Sequence, residues 1–123
     1  MADSSLITAV KIVSEIRRSL QFNVYYRKAQ MVQRFGSLTR PYLTFGLHLG
    51  WTIQGAIGSE NKIDACYLSP HLQIATRLEQ LTENYGMQIL LSEPLYNLMS
   101  LKSRNTLRKI DVITMNTFAS QSL

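Results

Sequence analysis

The sequence predicts an α+β domain in which helices stack on one face of a largely antiparallel sheet. Three features of the 123-residue chain lead to this prediction: helical spacing of apolar residues near the N-terminus, a β-rich stretch with glycines at 42–57, and a sharply bounded helix that begins after Ser69. The predicted order of elements is α, β, β, β, α, β, α, β. A single domain over residues 1–123 is expected, since 46% of the residues are hydrophobic and can furnish one core.

The first predicted helix follows three residues at 3–5 that can cap it. Its apolar face consists of residues spaced three and four apart, namely Leu6, Val10, Val13, Ile16 and Leu20. Residues 21–40 keep some helical character, but Gly36 and Pro41 are expected to break it. A loop is therefore predicted before Tyr42.

Strands are predicted in the middle of the chain. The stretch from Tyr42 to Ile57 is rich in β-branched and aromatic residues, which predicts two strands joined tightly near Gly50 as a hairpin. Another short strand is predicted from Lys62 to Leu68. These segments are expected to belong to the largely antiparallel sheet.

The helix after Ser69 has the clearest boundaries in the sequence. Ser69 offers a capping hydroxyl, Pro70 suits the first helical position, and Gly86 ends the helix. Its predicted inner face is Leu72, Ala75, Leu78, Thr82 and Tyr85. After this helix the sequence predicts a short strand, a short helix and a strand-like stretch, at Met87–Leu91, Ser92–Met99 and Thr106–Phe118.

The formal charge of +5 is concentrated early in the chain. Seven cations face only Asp3 and Glu15 over the first forty residues; they are Lys11, Arg17, Arg18, Arg27, Lys28, Arg34 and Arg40. Such a stretch can bind nucleic acid, or it can be a solvated face whose acidic partner lies on another chain. No recognition motif accompanies the charge, so nucleic-acid binding is the less favoured interpretation.

The composition argues against several classes of site. The chain has no run of about eighteen apolar residues, and its N-terminus carries charges where a signal peptide would be apolar, so a cytoplasmic protein or domain without a membrane segment is expected. The single cysteine, Cys66, cannot form an internal disulfide. His48 and His71 have no metal-ligand spacing. No metal site is predicted.

Three blocks of sequence carry a family resemblance. They are Gly46-Leu47-His48-Leu49-Gly50 with Gly55-Ala56-Ile57-Gly58-Ser59, then Ala75-Thr76-Arg77-Leu78-Glu79, then Tyr85-Gly86 with Ile89-Leu90-Leu91-Ser92-Glu93. In content and spacing they resemble the second half of the class III adenylate and guanylate cyclase catalytic domain. The resemblance implies a ferredoxin-like sandwich that is truncated at its N-terminal side, so that residues 1–123 are a partial cyclase catalytic domain.

The resemblance also implies a site shared between two paired domains. In this family one partner holds two divalent metals, Mg or Mn, through two aspartates that precede the helix with which this chain begins; those aspartates have no counterpart here. The other partner supplies a base-reading residue, an amide and an arginine, which fall on Cys66, Gln73 and Arg77. The expected partners are a purine nucleoside triphosphate and a second cyclase domain, in a homodimer or heterodimer.

The chemistry of Arg77 and Gln73 suits those roles. Cyclisation gathers negative charge on phosphoryl oxygens, and arginine presents a fixed cationic fork to such oxygens. The alternative is a surface arginine paired with Glu79 or Glu83, although separations of two and six residues do not place either carboxylate beside it on a helix. Gln73 lies one turn earlier, where the family usually has asparagine on the ribose; it can equally be an ordinary surface glutamine.

Cys66 falls on the position that selects the purine. A thiol donates weakly to guanine O6, whereas the aspartate of animal adenylate cyclases can only accept a hydrogen bond. A lone cysteine in a strand can also be a small buried hydrophobic residue. The resemblance thus implies cyclic nucleotide biosynthesis in intracellular signalling, with GTP slightly favoured over ATP. The alternatives are an inactive cyclase-homology module that binds or regulates a partner, and an unrelated basic binding domain.

Overall fold

The chain has a mixed α+β architecture in a computed structural model that describes residues 1–36, 42–60 and 62–115. The elements in chain order are α1 Ala2–Arg18, α2 Leu20–Tyr26, α3 Ala29–Phe35, β1 Phe45–Leu47, β2 Ile53–Ser59, β3 Lys62–Leu68, α4 Pro70–Tyr85, β4 Ile89–Leu91, α5 Glu93–Asn97 and α6 Leu101–Arg104. This confirms the predicted α+β class. Within the described ranges, no helix is both long and apolar enough to cross a membrane.

The strands pair differently from the predicted hairpin at 42–57. β1 and β4 pair in parallel, with Phe45 opposite Ile89, whereas β2 and β3 pair antiparallel, with Ile53 opposite Leu68. The two segments of the predicted hairpin therefore lie in separate two-stranded sheets, and the hairpin prediction was wrong. The hairpin is instead β2–β3, which turns between Ser59 and Lys62.

The predicted last strand is also absent where the structure describes it. Residues 106–115 have no strand, and 116–118 lie outside the described residues. The short helix predicted from Ser92 to Met99 is observed as α5 with Ser92 as its N-cap residue, and a second helix, α6, follows it. The predicted break after residue 35 is confirmed at Gly36, which ends α3 with a φ of 85°. Pro41 lies outside the described residues.

Helix α1 begins and packs differently from its prediction. Met1 is the N-cap residue, and the Asp3 carboxylate instead accepts hydrogen bonds from Ser100 N at 3.1 Å and Ser100 Oγ at 3.2 Å. The buried residues are Leu6 and Ala9, while Val10 of the predicted face is exposed. The helix is apolar on more than one side, so periodicity alone did not settle which side packs.

Helix α4 lies across the small parallel sheet with very little space between them. A Cβ atom on Gly46 would lie 2.2 Å from the carbonyl oxygen of Ala75 and 2.5 Å from the backbone nitrogen of Glu79. Leu78 and Thr82 are buried on the inner side of the helix. A glycine at position 46 thus lets the strand and helix backbones approach, which fixes where α4 sits.

The predicted boundaries of α4 are confirmed. The Ser69 side chain caps the helix by accepting a hydrogen bond from His71 N at 3.0 Å, and Pro70 occupies the first turn. Gly86 adopts the left-handed conformation with φ of 62°, and Met87 N donates to Thr82 O as the chain leaves the helix. Of the predicted inner face, Leu72 departs, because it is 44% exposed.

The hairpin β2–β3 is the least covered part of the described structure. All seven residues of each strand are exposed, including Ile57 and Ile63. The buried cluster is elsewhere, formed by Leu6 with Leu95 and Met99, against which residues of β1 and β4 pack. Cys66 is therefore not a core residue of this chain; its thiol is exposed.

Candidate functional site

The outer side of α4 forms one wall of a cleft of about 540 Å³ that contains two of the predicted site residues. Gln73 and Arg77 stand one helical turn apart and both face the cleft. The remaining lining is largely apolar, from Ile74, Leu81, Ile113, Thr114 and Met115. Both polar residues lie on the side of α4 away from buried Thr82, so the packing of the helix on the sheet presents them outward.

Arg77 is positioned by a neighbour on its own helix. Its Nη1 donates to Gln80 Oε1 at 3.2 Å. Within the described part of the chain, the guanidinium forms no ion pair with Glu79, Glu83 or another carboxylate. The interpretation of Arg77 as half of a surface salt bridge therefore has no support in the geometry. The guanidinium is exposed and keeps most of its donors for an external anion.

Another part of the cleft wall is an irregular segment that a side-chain hydrogen bond joins to α4. The Tyr85 hydroxyl donates to Asp111 Oδ2 at 2.6 Å, and Asp111 Oδ1 accepts from Val112 N at 2.7 Å. These bonds stabilise the ionised carboxylate, so the Tyr85 contact and then the Val112 contact lower the pKa of Asp111. The same contact raises the pKa of Tyr85. Asp111 thus anchors the start of the 113–115 wall.

The third predicted residue, Cys66, is placed apart from the other two. It lies on β3 opposite Gly55 of β2, with its thiol exposed, and it does not line the cleft that Gln73 and Arg77 share. Within one chain the structure thus brings the amide and the arginine together but not the base-reading position. Cys66 faces outward from the projecting hairpin.

A histidine pair that the sequence analysis did not link lies at the start of α4. His48 Nε2 is 2.9 Å from His71 Nδ1, and His48 Nδ1 is 2.7 Å from Ser92 Oγ. The Trp51 ring packs edge-on against the His71 ring. Burial, together with the charge on His71 when it is protonated, lowers the pKa of His48. His48, His71 and Ser92 thus form a continuous hydrogen-bonded chain.

No sequence signal pointed to that pair, because the two residues are 23 positions apart and match no ligand spacing. The structure shows that Gly50 makes room for the imidazole, because a Cβ atom at this position would lie 2.0 Å from Cγ of His71. The described residues contain no group of three or more His, Cys, Asp or Glu side chains that could hold a metal ion.

Comparison with known proteins gives one partial similarity. An adenylate cyclase of Anabaena cylindrica is 32% identical over 74 residues, which are 60% of this chain and 15% of that cyclase. This supports a cyclase relationship. The chain spans only about 15% of the length of the curated relative that it matches. No family model matches the chain, and no solved structure matches it.

Proposed function

We propose that the chain is part of a purine nucleotide cyclase and contributes Arg77, Gln73 and Cys66 to a site completed by a second cyclase domain. The observation that carries the proposal is the outward cleft on α4, in which Gln73 faces the same space as Arg77, an arginine that has no carboxylate partner among the described residues. The partial identity to an adenylate cyclase supports the proposal that Gln73 and Arg77 act on a nucleotide.

In the proposed reaction the ribose 3′ oxygen attacks the α-phosphorus of the nucleotide. The 3′ hydroxyl releases its proton to solvent as a P–O bond forms to the 3′ oxygen. The bond between the α-phosphorus and the oxygen that bridges to the β-phosphate breaks, and pyrophosphate leaves with the electron pair. Negative charge grows on the phosphoryl oxygens in the transition state. Arg77 stabilises that charge, since its guanidinium stays protonated and its fork of donors matches phosphate oxygens. The exposed position of Arg77 suits delivery to a site formed with another domain.

Gln73 orients the ribose in this proposal, because its amide both donates and accepts hydrogen bonds and stands one turn from Arg77 on the same side of α4. Cys66 reads the base from β3. Its thiol donates to guanine O6, which makes GTP the preferred substrate over ATP. Because Cys66 lies on a separate projecting hairpin, the second domain would have to seat the nucleotide between the hairpin and α4.

The divalent metals, Mg or Mn, are assigned to the second domain. This assignment is supported by the described residues, which contain no group of three or more His, Cys, Asp or Glu side chains that could hold a metal ion. The metals would supply charge neutralisation of the triphosphate when bound. What this chain adds is the cationic guanidinium of Arg77 and the amide of Gln73, in a cleft whose remaining lining is largely apolar.

The test is complementation. The chain is mixed with a cyclase domain that keeps its metal aspartates but has lost its own arginine, and cyclic nucleotide formation from GTP and from ATP is measured with manganese. We expect the mixture to be active, and Arg77→Ala to lower the rate about 100- to 1000-fold, as the loss of one preorganised charge contact does. Arg108→Ala removes another exposed arginine as the matched control and should leave the rescue intact.

Two outcomes would contradict the proposal. Turnover by the chain alone that Arg77→Ala leaves unchanged would show that the chemistry is assigned to the wrong residues. Nucleotide binding without any rescue would instead favour the inactive cyclase-homology module that binds or regulates a partner.

A further inference from the structure

The end of α1 together with α2 and α3 forms a basic surface, here called the basic helical segment, residues 17–36. No Asp or Glu occurs between Glu15 and Glu60. The cations of the segment are Arg17, Arg18, Arg27, Lys28 and Arg34. Arg18, Arg27 and Arg34 are exposed and form no ion pair with any described residue. The segment therefore carries a positive field that its own sequence does not neutralise.

The same segment exposes large apolar side chains. Leu20 is 78% and Val24 64% exposed on α2, and Phe22 is 43% exposed. Leu20 and Val24 are one turn apart and, with Gln21 and Lys28, line a shallow groove of about 340 Å³. Exposed apolar side chains thus lie close in sequence to cations, and this combination is found in segments that bind at a membrane interface.

We propose that the basic helical segment docks on the surface of an anionic lipid bilayer. Leu20 and Val24 enter the boundary between headgroups and acyl chains, while Arg18 and Arg27 bind the phosphate and carboxylate headgroups. Leu20 and Val24 are more exposed than Phe22, and as aliphatic side chains they gain by entering hydrocarbon but offer no ring on which a nucleotide base can stack, which favours lipid over RNA. The inference does not depend on the proposed cyclase function.

A contact at the start of the basic helical segment joins it to the rest of the chain. Arg17 donates through Nη2 to Gln88 Oε1, next to β4. The start of the basic helical segment therefore contacts the parallel-sheet region of the chain. Ser19, with ψ of 117°, interrupts the helical path between α1 and α2. This bend lets α2 leave the axis of α1, and the side chains of α2 whose burial the structure describes, at 20–24, are all exposed. α2 is therefore available to lie along a surface.

Binding is measured by co-sedimentation of the full chain with vesicles of phosphatidylcholine alone and of phosphatidylcholine with phosphatidylserine. We expect binding only to the anionic vesicles, and its loss at about 1 M salt, where the Debye length falls to roughly 3 Å. The double variant R18Q/R27Q should lower the partition coefficient about 25-fold, at about fivefold for each cation near the surface. K102Q/K109Q makes the same charge change away from the segment and should bind as the wild type does.

A second pair of variants tests the apolar contribution. L20S/V24S should weaken vesicle binding, whereas I57S/I63S removes two equally exposed apolar residues from the β2–β3 hairpin and should not. Circular dichroism of each variant separates loss of binding from loss of helix. Equal binding to neutral and anionic vesicles would overturn the proposal. So would equal loss in the two charge variants, or release of the chain from anionic vesicles by single-stranded RNA with tight binding to that RNA.

Discussion

His48 and His71 form a hydrogen-bonded pair, with 2.9 Å between Nε2 of His48 and Nδ1 of His71. One proton can occupy that contact, so two fully protonated imidazoles would place N–H groups against each other. Burial and the His71 charge lower the pKa of His48 in the folded chain. In the unfolded chain that pKa returns to about 6.5. As pH falls, His48 is therefore protonated at a higher pH in the unfolded chain than in the folded chain.

The first prediction concerns this pH dependence. Because the folded pKa of His48 is the lower one, its contribution to stability is complete above about pH 6.5 and is lost as pH falls from there towards the folded pKa. The free energy of unfolding, measured in urea from about pH 8 to pH 5, should decrease in the wild type and decrease less in His48→Gln. A His48 ring titrating at or above its unfolded value by NMR would contradict this prediction.

The second prediction concerns the contact between β1 and α4. Gly46→Ala should destabilise the chain by about 1–3 kcal/mol or more, since the new methyl would meet the backbone of Ala75 and Glu79, which cannot rotate away. Gly55→Ala is the matched control: nothing lies within 4 Å of its Cβ position, and alanine in a strand should be neutral or stabilising. Equal midpoints of urea unfolding in the two variants would rule out the close approach.

The third prediction concerns the wall of the cleft. Tyr85→Phe removes the hydrogen bond to Asp111 Oδ2 and should raise the pKa of that carboxyl towards its ordinary value. Because the folded pKa of Asp111 is lowered, the stabilisation is present above about pH 3.9 and is lost as pH falls through the folded pKa. The variant should thus be less stable than the wild type at neutral pH and approach it in strong acid.

Tyr42→Phe is the control for the third prediction, because Tyr42 is exposed and its hydroxyl has no hydrogen-bond partner among the described residues. The carboxyl titration of Asp111 is followed by NMR in both variants. An Asp111 pKa that is the same with and without the Tyr85 hydroxyl would show that the contact does not anchor the 113–115 segment.

The fourth prediction concerns the choice of base. Cys66→Asp replaces a weak donor with an acceptor, so in the complementation assay the preference should change from GTP to ATP. Since Cys66 is exposed and outside the core, the melting temperature should not change. An unchanged ratio of GTP to ATP activity in Cys66→Asp would show that Cys66 does not select the base.

The sequence predicted best what is decided locally. The boundaries of α4 followed from Ser69, Pro70 and Gly86, because a cap, a fixed φ and a left-handed residue act within one turn of the chain. The turn that places Gln73 and Arg77 together followed from helical geometry alone. Their cleft was not predicted, since its second wall comes from residues 113–115, far along the chain.

The errors came from contacts that are distant in sequence. The glycine at 50 suggested a tight turn between two paired strands, but its space is taken by the ring of His71. β1 pairs instead with β4, more than forty residues later, and a parallel pair leaves no turn signature in the sequence. The contact between His48 and His71 was not predicted for the same reason, because it depends on how α4 packs against the parallel sheet.

The full exposure of the β2–β3 hairpin has a consequence for how the protein can diverge. A side chain on β3 contributes nothing to the buried cluster, so the residue at position 66 is free of the packing constraints that act on Leu78 or Leu95. Under the proposed function, recognition of the purine and stability of the fold depend on different residues. A descendant of this sequence can then change its preferred nucleotide substrate through one amino-acid substitution at position 66, without a compensating mutation in its core.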